Sequence, residues 1–296
     1  MGHIMIRDYL RRLYRILFPL IYSRAQYRLF INAALGSMDL RMLELASLTD
    51  YFASFVRSIP IRAPFGKSML VLAPHQDDEA IGCGGTLALQ AASKHPAAIV
   101  ILQDGAGGYE QIGLTREQMT QVRNDESQRA AAVIDLGPPI FLNYGDLTAS
   151  IPEATERIRR IIIERKVDAV FVPFVLDGQA DHRAANYILA GALAGISWDV
   201  RVFGYEVWGL SIPNVMVIID DVIEKKLEML ACFRLANSAV DYVNTTKGLN
   251  MYHARMLGAG QCKYAERFFE APRAEYIELV ERVRAADSGR ARNSLA

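Results

Sequence analysis

The amino-acid sequence predicts an α/β fold, with a mostly parallel sheet covered by helices on both faces and a helical extension at the N-terminus. Beyond about residue 60, short apolar and β-branched runs alternate with longer segments of helical period, which is the rhythm of βαβ units. The 296 residues suffice for one large α/β unit with extensions, and 51% hydrophobic content supports a well-buried core. We therefore expect an extension at 1–60, a main domain at 61–286 and a flexible tail at 287–296.

The extension is predicted to begin with two helices at 6–34, broken at Pro19, because arginines alternate there with aromatic and aliphatic residues at helical spacing. Its apolar stripe is expected to pack on the main domain. In the alternative interpretation it is a basic amphipathic segment that rests on an anionic membrane surface or on another subunit. A further helix is predicted at 38–58, before the proline-containing segment that marks the domain boundary.

The main domain is predicted to be Rossmann-like, since four of its strands are each followed by a helix. These strands are predicted at 69–74, 97–104, 140–144 and 168–174, and the helices begin near 79, 115, 151 and 181. Two further strands, at 200–208 and 215–220, are expected to form an antiparallel pair at the edge of the sheet. The remainder is predicted to be helical from 221 to about 234, loop-like at 244–260 and helical near 275–286.

Composition excludes several classes of protein. The 33 basic and 33 acidic residues cancel, so no overall charge favours nucleic acid as a partner. No apolar run reaches the roughly 18 residues of a membrane-spanning helix, and the N-terminus lacks the apolar core of a signal peptide. Three widely separated cysteines indicate neither a disulfide framework nor a thiolate zinc cluster. We expect a cytoplasmic protein, with peripheral membrane contact or self-association through 6–34 as the open alternative.

Polar side chains cluster directly after the first and the fourth predicted strands of the main domain. The carboxyl ends of parallel strands are where open α/β sheets bind ligands. Imidazole and carboxylate groups suit zinc, and catalytic zinc sites have three protein ligands and an open position for water. Single residues of this kind often only cap helices, but two clusters at equivalent strand ends favour a site. The clusters are His75, Asp77, Asp78 and Glu79, and Asp177, Gln179, Asp181 and His182.

A ligand set of His75, Asp78 and His182 would satisfy zinc, and Asp77 is then placed to accept a proton from the metal-bound water. Glu79 is expected to interact with the dipole of the following helix. The glycine-rich segment at 81–86 lacks the G-x-G-x-x-G spacing of dinucleotide-binding proteins. These glycines are predicted to let the helix pack closely against the sheet.

The segment APHQDDEAIGCGGTLA resembles the AHPDDE-containing motif of the PIG-L/LmbE-like family of zinc-dependent de-N-acetylases. The segment 177–182 is similar to the second motif of that family, and Arg123 with Glu126 and the stretch 258–269 resemble further features. The resemblance covers roughly 67–269. It implies that His75, Asp78 and His182 bind zinc, that Asp77 is the general base, and that the substrate is an N-acetylated amino sugar of a glycan, glycolipid or natural-product precursor.

Two residues depart from the family pattern. Gln76 replaces a proline, which is expected to change only the stiffness of the loop. Gln179 replaces a histidine that stabilises the oxyanion or acts as an acid, and glutamine can donate a hydrogen bond but cannot deliver a proton near neutral pH. Either Asp77 performs both proton transfers, or another group such as His253 substitutes, or activity is reduced.

Several other residues are candidates for substrate contact. Arg123 is expected either to bind substrate hydroxyl or phosphate groups or to pair with Glu126 on its own helix. Asp146 either binds sugar hydroxyls or forms an ordinary turn. Tyr205 and Trp208 could stack on a sugar, although their predicted strand favours packing.

Two alternatives to an active deacetylase stay open on sequence alone. A catalytically weakened, sugar-binding member of the same fold is suggested by Gln179. A non-haem iron oxygenase would use the same two-histidine, one-carboxylate ligand set. Oxygenases of that kind normally carry H-x-D on an antiparallel scaffold, whereas here H-x-x-D lies in a βα loop, so the hydrolase is the preferred hypothesis.

Overall fold

The computed structural model describes residues 58–209, 211, 213–256 and 260–293. The chain divides into two compact units, Met1–Val56 and Arg57–Ala296. The helices predicted at 6–34 and 38–58 lie outside the described residues apart from Ser58, so the role of the extension stays a prediction. No helix in the described part of the chain has both the length and the apolar character to cross a lipid bilayer.

The described residues form one mixed, mostly parallel sheet of eight strands in the order β1-β7-β8-β6-β5-β2-β3-β4. All neighbouring strands run parallel except β8, which is antiparallel to both β6 and β7. The strands are β1 (Ile59–Ile61), β2 (Met69–Ala73), β3 (Ala97–Gln103), β4 (Ile140–Tyr144), β5 (Ala169–Pro173), β6 (Arg201–Tyr205), β7 (Val215–Ile218) and β8 (Ala265–Pro272).

Eight α-helices surround this sheet in the described residues. They are α1 (Asp78–Ala92), α2 (Arg116–Val133), α3 (Ile151–Arg165), α4 (Ala180–Ala194), α5 (Ile223–Ala231), α6 (Arg234–Ala239), α7 (Tyr242–Arg255) and α8 (Arg273–Asn293). The four predicted strand–helix pairs are therefore confirmed. The loop predicted at 244–260 is wrong over most of its length, because α7 occupies it, and α8 overlaps the predicted tail at 287–296.

The expected antiparallel pair at the sheet edge is also wrong. β6 and β7 run in the same direction, and β8 lies between them. Tyr205 and Val215 both pair with Phe268, so β7 starts level with the end of β6. The distance between the end of β6 at Tyr205 and the start of β7 at Val215 is therefore two strand spacings, or about 10 Å, across the sheet.

Alternating side chains of the buried strands supply two separate cores. Met69 and Val71 face the layer of α1, α2 and α5, whereas Leu70 and Leu72 face α3, α4 and α8. From β2 the chain moves outward through β3 to β4 and then returns to β5 on the other side of β2. The topological switch point, where ligands bind in such sheets, thus lies between the carboxyl ends of β2 and β5.

Candidate metal centre and active site

The loop between β2 and α1 carries the first polar cluster. Asp77 has φ +122°, a value that residues with a side chain rarely adopt and that costs on the order of 1–3 kcal/mol. Its amide donates to Glu79 Oε2 at 3.2 Å, and its carbonyl accepts from Ala80 N at 2.9 Å. Asp77 precedes α1, but its side chain does not cap that helix. The carboxylate instead faces a cavity at the switch point.

The loop between β5 and α4 carries the second cluster, organised around the buried carboxylate of Asp177. Its Oδ1 accepts from Gln179 N at 3.0 Å and lies 3.3 Å from His182 Nδ1. Its Oδ2 accepts from the backbone amides of Trp208 and Gly209, each at 3.1 Å. One carboxylate therefore holds both the metal-facing loop and the chain that follows β6.

His75, Asp78 and His182 converge at this switch point. One ligand atom from each lies within 4.8 Å of the others. Asp78 Oδ2 is 3.2 Å from His75 Nδ1 and 3.4 Å from His182 Nε2. Two imidazoles and a carboxylate, with Asp78 and His182 buried, fit a divalent metal ion of the zinc type. The three predicted ligands thus lie together, and their binding of a metal stays a proposal.

Two further carboxylates orient the imidazoles. Asp177 lies beside the far nitrogen of His182, and Asp181 Oδ2 is 3.3 Å from His75 Nε2. Such outer carboxylates fix the ring orientation and the tautomer of a metal-binding histidine. Both residues belong to the polar cluster predicted after the fourth strand, but the sequence indicated no role for either. Their closeness in sequence to His182 was the available signal.

The carboxylates of this centre have very different proton affinities. Burial raises the pKa of Asp77 to about 7, although Arg123 opposes the shift. Burial acts in the same direction on Asp78, but the adjacent His182 and His75 hold its pKa well below the usual range. Burial also raises the pKa of Glu79 to about 8. Asp78 is thus the carboxylate of these three that is held most firmly in its charged form.

The cavity beside these residues has a volume of about 420 Å³ and is lined by side chains of two chemical kinds. The polar part of the lining, called the polar wall below, includes His75, Asp77, Asp78, Arg123, Gln179 and Asp181. The apolar part, called the apolar wall, includes Ile81, Met119, Val207, Trp208, Ala236 and Tyr242. Within the described residues, Gln179 Oε1 is buried without a hydrogen-bond partner, so this acceptor oxygen is unsatisfied.

Arg123 lies at the cavity, whereas its predicted partner Glu126 points elsewhere. Arg123 Nη2 is 3.3 Å from Asp77 Oδ2 and also donates to the carbonyl oxygen of Gln76. Glu126 Oε1 instead accepts from Leu235 N at 3.2 Å, which ties α2 to α6. The two side chains thus act separately, and substrate binding by Arg123 stays a proposal.

Gln76 does more than alter the stiffness of the loop. It is fully buried, and its Nε2 donates to Asn124 Oδ1 at 3.0 Å and to the carbonyl oxygen of Gln103 at 3.3 Å. Asn124 continues this chain of amides to Asn143 Oδ1 at 3.2 Å. The side chain that replaces proline therefore anchors the metal-binding loop to α2 and β3, which corrects the sequence-based expectation.

Two predicted candidates lie away from the cavity lining. Asp146 Oδ1 accepts from Ala149 N at 3.0 Å, which is the turn-forming role, and sugar contact through Asp146 stays a prediction. His253 on α7 is buried, with its Nε2 2.9 Å from Glu206 Oε2. In this arrangement His253 is not placed to replace the missing histidine at position 179.

The two aromatic candidates differ. Tyr205 is fully buried, and its hydroxyl donates to the carbonyl oxygen of Leu72 at 3.0 Å, which confirms packing. The prediction that Trp208 is packed in the same way is wrong, because Trp208 is 58% exposed and lines the cavity. The reason is that β6 ends at Tyr205, so Trp208 lies in the following loop.

The glycine-rich segment lets α1 approach its neighbours closely, as predicted. A Cβ at Gly82 would lie 2.1 Å from the ring of Tyr205, and one at Gly85 would lie 2.7 Å from Ile219. Between them, Cys83 departs from helical geometry, with φ −144° and ψ 23°. The first turn of α1, which carries Asp78, is therefore set off from the rest of the helix by a kink.

Comparison with known proteins finds deacetylases among the proteins that resemble this chain. Residues 70–193 match the family model of PIG-L, described as GlcNAc-PI de-N-acetylase. The chain is 28% identical, over 188 residues, to diacetylchitobiose deacetylase from Thermococcus kodakarensis, a match that covers 56% of this chain and 70% of that protein.

Two solved structures share the fold. The diacetylchitobiose deacetylase of Pyrococcus horikoshii has a TM-score of 0.63 at 21% identity, over 81% of this chain and 96% of the other. The 4-carboxy-2-hydroxymuconate hydratase of Pseudomonas putida has a TM-score of 0.59 at 18% identity, over 69% and 95%. At these identities the likeness establishes architecture rather than reaction. The match at 70–193, which contains every predicted metal ligand, confirms the resemblance to the PIG-L/LmbE-like deacetylase family that the motifs indicate.

Proposed function

We propose that this chain is a zinc-dependent hydrolase that removes the acetyl group from an N-acetylated amino sugar. The observation that carries the proposal is the convergence of His75, Asp78 and His182 at the edge of a cavity that Asp77 also lines. The relatives named as deacetylases of acetylated saccharides support the substrate class.

Zinc suits this donor set better than the hard cations, which favour oxygen ligands alone. When bound at these three residues, zinc supplies a Lewis acid that lowers the pKa of a water molecule and polarises the acyl carbonyl. Asp177 and Asp181 hold the two imidazoles in the orientation that ligation requires.

The remaining chemistry falls to the side chains of the polar wall. Asp77 accepts the proton of the attacking water, with Arg123 beside it to stabilise the charged carboxylate. Gln179, whose side chain lines the cavity, donates an amide N–H to the developing oxyanion. The C–N bond then breaks, and Asp77 returns the proton to the amine nitrogen, so acetate and a free amino sugar are released.

The test is acetate release from a panel of N-acetylated sugars, measured with protein whose metal content is known. We expect one equivalent of acetate per free amine with the zinc-loaded protein. Asp77→Asn is expected to abolish turnover while zinc stays bound. Asp135→Asn is the matched control, because the side chain of Asp135 is 92% exposed and is not part of the cavity lining.

Two results would contradict the proposal. The first is tight sugar binding without acetate release by zinc-loaded protein, which would favour the weakened binding protein. The second is equal acetate release by the parent protein and by Asp77→Asn. Because the same fold occurs in a hydratase, acetate itself must be the measured product.

A further inference from the structure

Trp208, which is exposed, and Tyr242, which is partly buried, form an aromatic pair on the apolar wall of the cavity. Their ring centroids are 6.1 Å apart, with the ring planes at 72°. Trp208 is 58% exposed, although tryptophan is among the residues whose burial contributes most to folding. A large aromatic side chain left in solvent beside a polar cavity marks a binding surface.

The two walls of the cavity constrain what can occupy it. Asp77, Arg123 and Gln179 on one wall require hydrogen-bonding groups, whereas Val207, Trp208 and Tyr242 on the other require apolar surface. A pyranose ring offers both, because its hydroxyl groups project from the rim and its axial C–H bonds form an apolar face. A small acyclic amide has the polar group without that face.

We call the pair of Trp208 and Tyr242 the platform. At Trp208 the platform is fixed relative to the predicted metal centre. Asp177 accepts the amides of Trp208 and Gly209 with one oxygen, and its other oxygen lies beside the imidazole of His182. A ring stacked on Trp208 is therefore held at a defined position with respect to a predicted metal ligand. Because Asp177 contacts both segments through a buried hydrogen-bond network, the loop at Trp208 has little freedom to shift relative to His182.

Tyr242 is held in place by a separate set of hydrogen bonds. Its amide donates to Asn237 Oδ1 at 3.1 Å and to the carbonyl oxygen of Val240 at 2.8 Å. The helix that carries Asn237, α6, is itself bound to Glu126 of α2 through Leu235 N. Glu126 thus supports the apolar wall, while Arg123, three residues earlier on α2, serves the polar one.

We propose that Trp208 and Tyr242 are specificity-determining residues that stack on the apolar face of the substrate's pyranose ring and so select a saccharide over a simple N-acetyl amine. This inference rests on the proposed function, since it names the group that distinguishes substrates at the same site. Stacking is made in the ground state and in the transition state alike, so it acts on KM rather than on kcat.

The chain contains only two tryptophans, which permits a direct optical test. Trp198 is remote from the platform, and its Nε1 donates to the carbonyl oxygen of Val167 at 2.8 Å. In Trp198→Phe the fluorescence reports on Trp208 alone, and adding Asp77→Asn prevents turnover. We expect N,N′-diacetylchitobiose to change this fluorescence in a saturable manner and N-acetylethanolamine to leave it unchanged.

Kinetics of otherwise wild-type protein provide the second measurement. Trp208→Ala is expected to raise KM for the disaccharide about tenfold with kcat changed less than about threefold, and Trp208→Tyr is expected to restore most of the affinity. The kcat/KM for N-acetylethanolamine is expected to be the same in all three proteins. Bound zinc, measured for each variant, confirms that the centre is intact.

The outcomes separate the two proposals. If the parent protein releases acetate from the disaccharide but Trp208→Ala leaves KM unchanged, the platform is refuted and the hydrolase stands. The platform is also refuted, and the hydrolase stands, if the parent protein hydrolyses the disaccharide but the disaccharide does not change the fluorescence of the variant with Trp198→Phe and Asp77→Asn. If the zinc-loaded parent releases no acetate from any N-acetylated sugar, the proposed function fails and the platform fails with it.

Discussion

The buried ammonium group of Lys226 is expected to be essential for stability. Its Nζ lies 2.6 Å from Glu266 Oε1 and donates to the carbonyl oxygen of Ile81 at 2.9 Å. Glu266 also accepts the amides of Gly85 and Thr86, each at 2.8 Å, and the Thr86 hydroxyl at 2.6 Å. These contacts satisfy the backbone groups that the kink in α1 leaves without helical partners.

Lys226→Met removes the charge but keeps an unbranched side chain of similar length. The carbonyl of Ile81 then loses its donor, and the carboxylate of Glu266 stays buried without a counter-charge. Breaking a buried ion pair from one side costs about 3–5 kcal/mol. Since Glu266 retains three other donors, we expect a loss of about 3 kcal/mol in the free energy of unfolding.

Urea denaturation followed by circular dichroism measures this loss, and Lys225→Met is the matched control. The side chain of Lys225 is 51% exposed and lies 4.0 Å from the exposed Asp135, so its removal is expected to change stability by less than about 0.5 kcal/mol. Adding Glu266→Gln to Lys226→Met is expected to recover part of the loss, because no uncompensated charge then remains buried. A loss below about 1 kcal/mol for Lys226→Met would refute the reasoning.

Three further predictions concern the loops that carry the predicted metal ligands and the glycine that packs against Gln76. Gly105→Ala is expected to lower the free energy of unfolding by at least about 1 kcal/mol more than Gly113→Ala does. Both glycines have positive φ, but only a Cβ at Gly105 would lie 2.1 Å from the buried side chain of Gln76. Equal losses on urea denaturation would contradict this. Asp177→Asn is expected to weaken zinc affinity about 10–100-fold by isothermal titration, and unchanged affinity would show that it does not orient the ligand. Gln179→His is expected to raise kcat for acetate release at least about tenfold, because imidazolium can deliver a proton, whereas equal turnover would exclude a missing acid.

The strand–helix order was predictable because it depends on local patterns. Alternating and helical periods of apolar residues are properties of short segments, so the four βα units could be identified one by one. The convergence of His75, Asp78 and His182 was predictable for a related reason, since these residues lie in two short loops that each follow a strand. Parallel strands bring such loops together whatever their separation in sequence.

The C-terminal part resisted prediction because its structure depends on distant partners. α7 contains Asn244, Thr246 and Gly248, which favour helix poorly. It is nevertheless held by a cap from Asp241 to Asn244 N at 3.0 Å and by Asn250 Nδ2, which donates to the carbonyl oxygen of Ala265 at 3.0 Å. These tertiary contacts outweigh the local preference.

The position of β8 shows the same limit. Its neighbours, β6 and β7, lie about 50 residues or more earlier in the chain, and no local pattern specifies that a strand inserts between them. Its insertion also brings Glu266 to the kink in α1. The pairing was therefore missed together with the buried ion pair that depends on it.

The α/β class, the order of the main strands and the predicted metal ligands could all be identified from the amino-acid sequence, because each follows from residues close together in the chain. The environment of the other side chains became known only from the tertiary structure. This structure placed Trp208 in the cavity, His253 outside it and Gln76 in a buried chain of amides. Burial and hydrogen-bond partners are set by packing between remote segments, and a one-dimensional pattern does not contain that information.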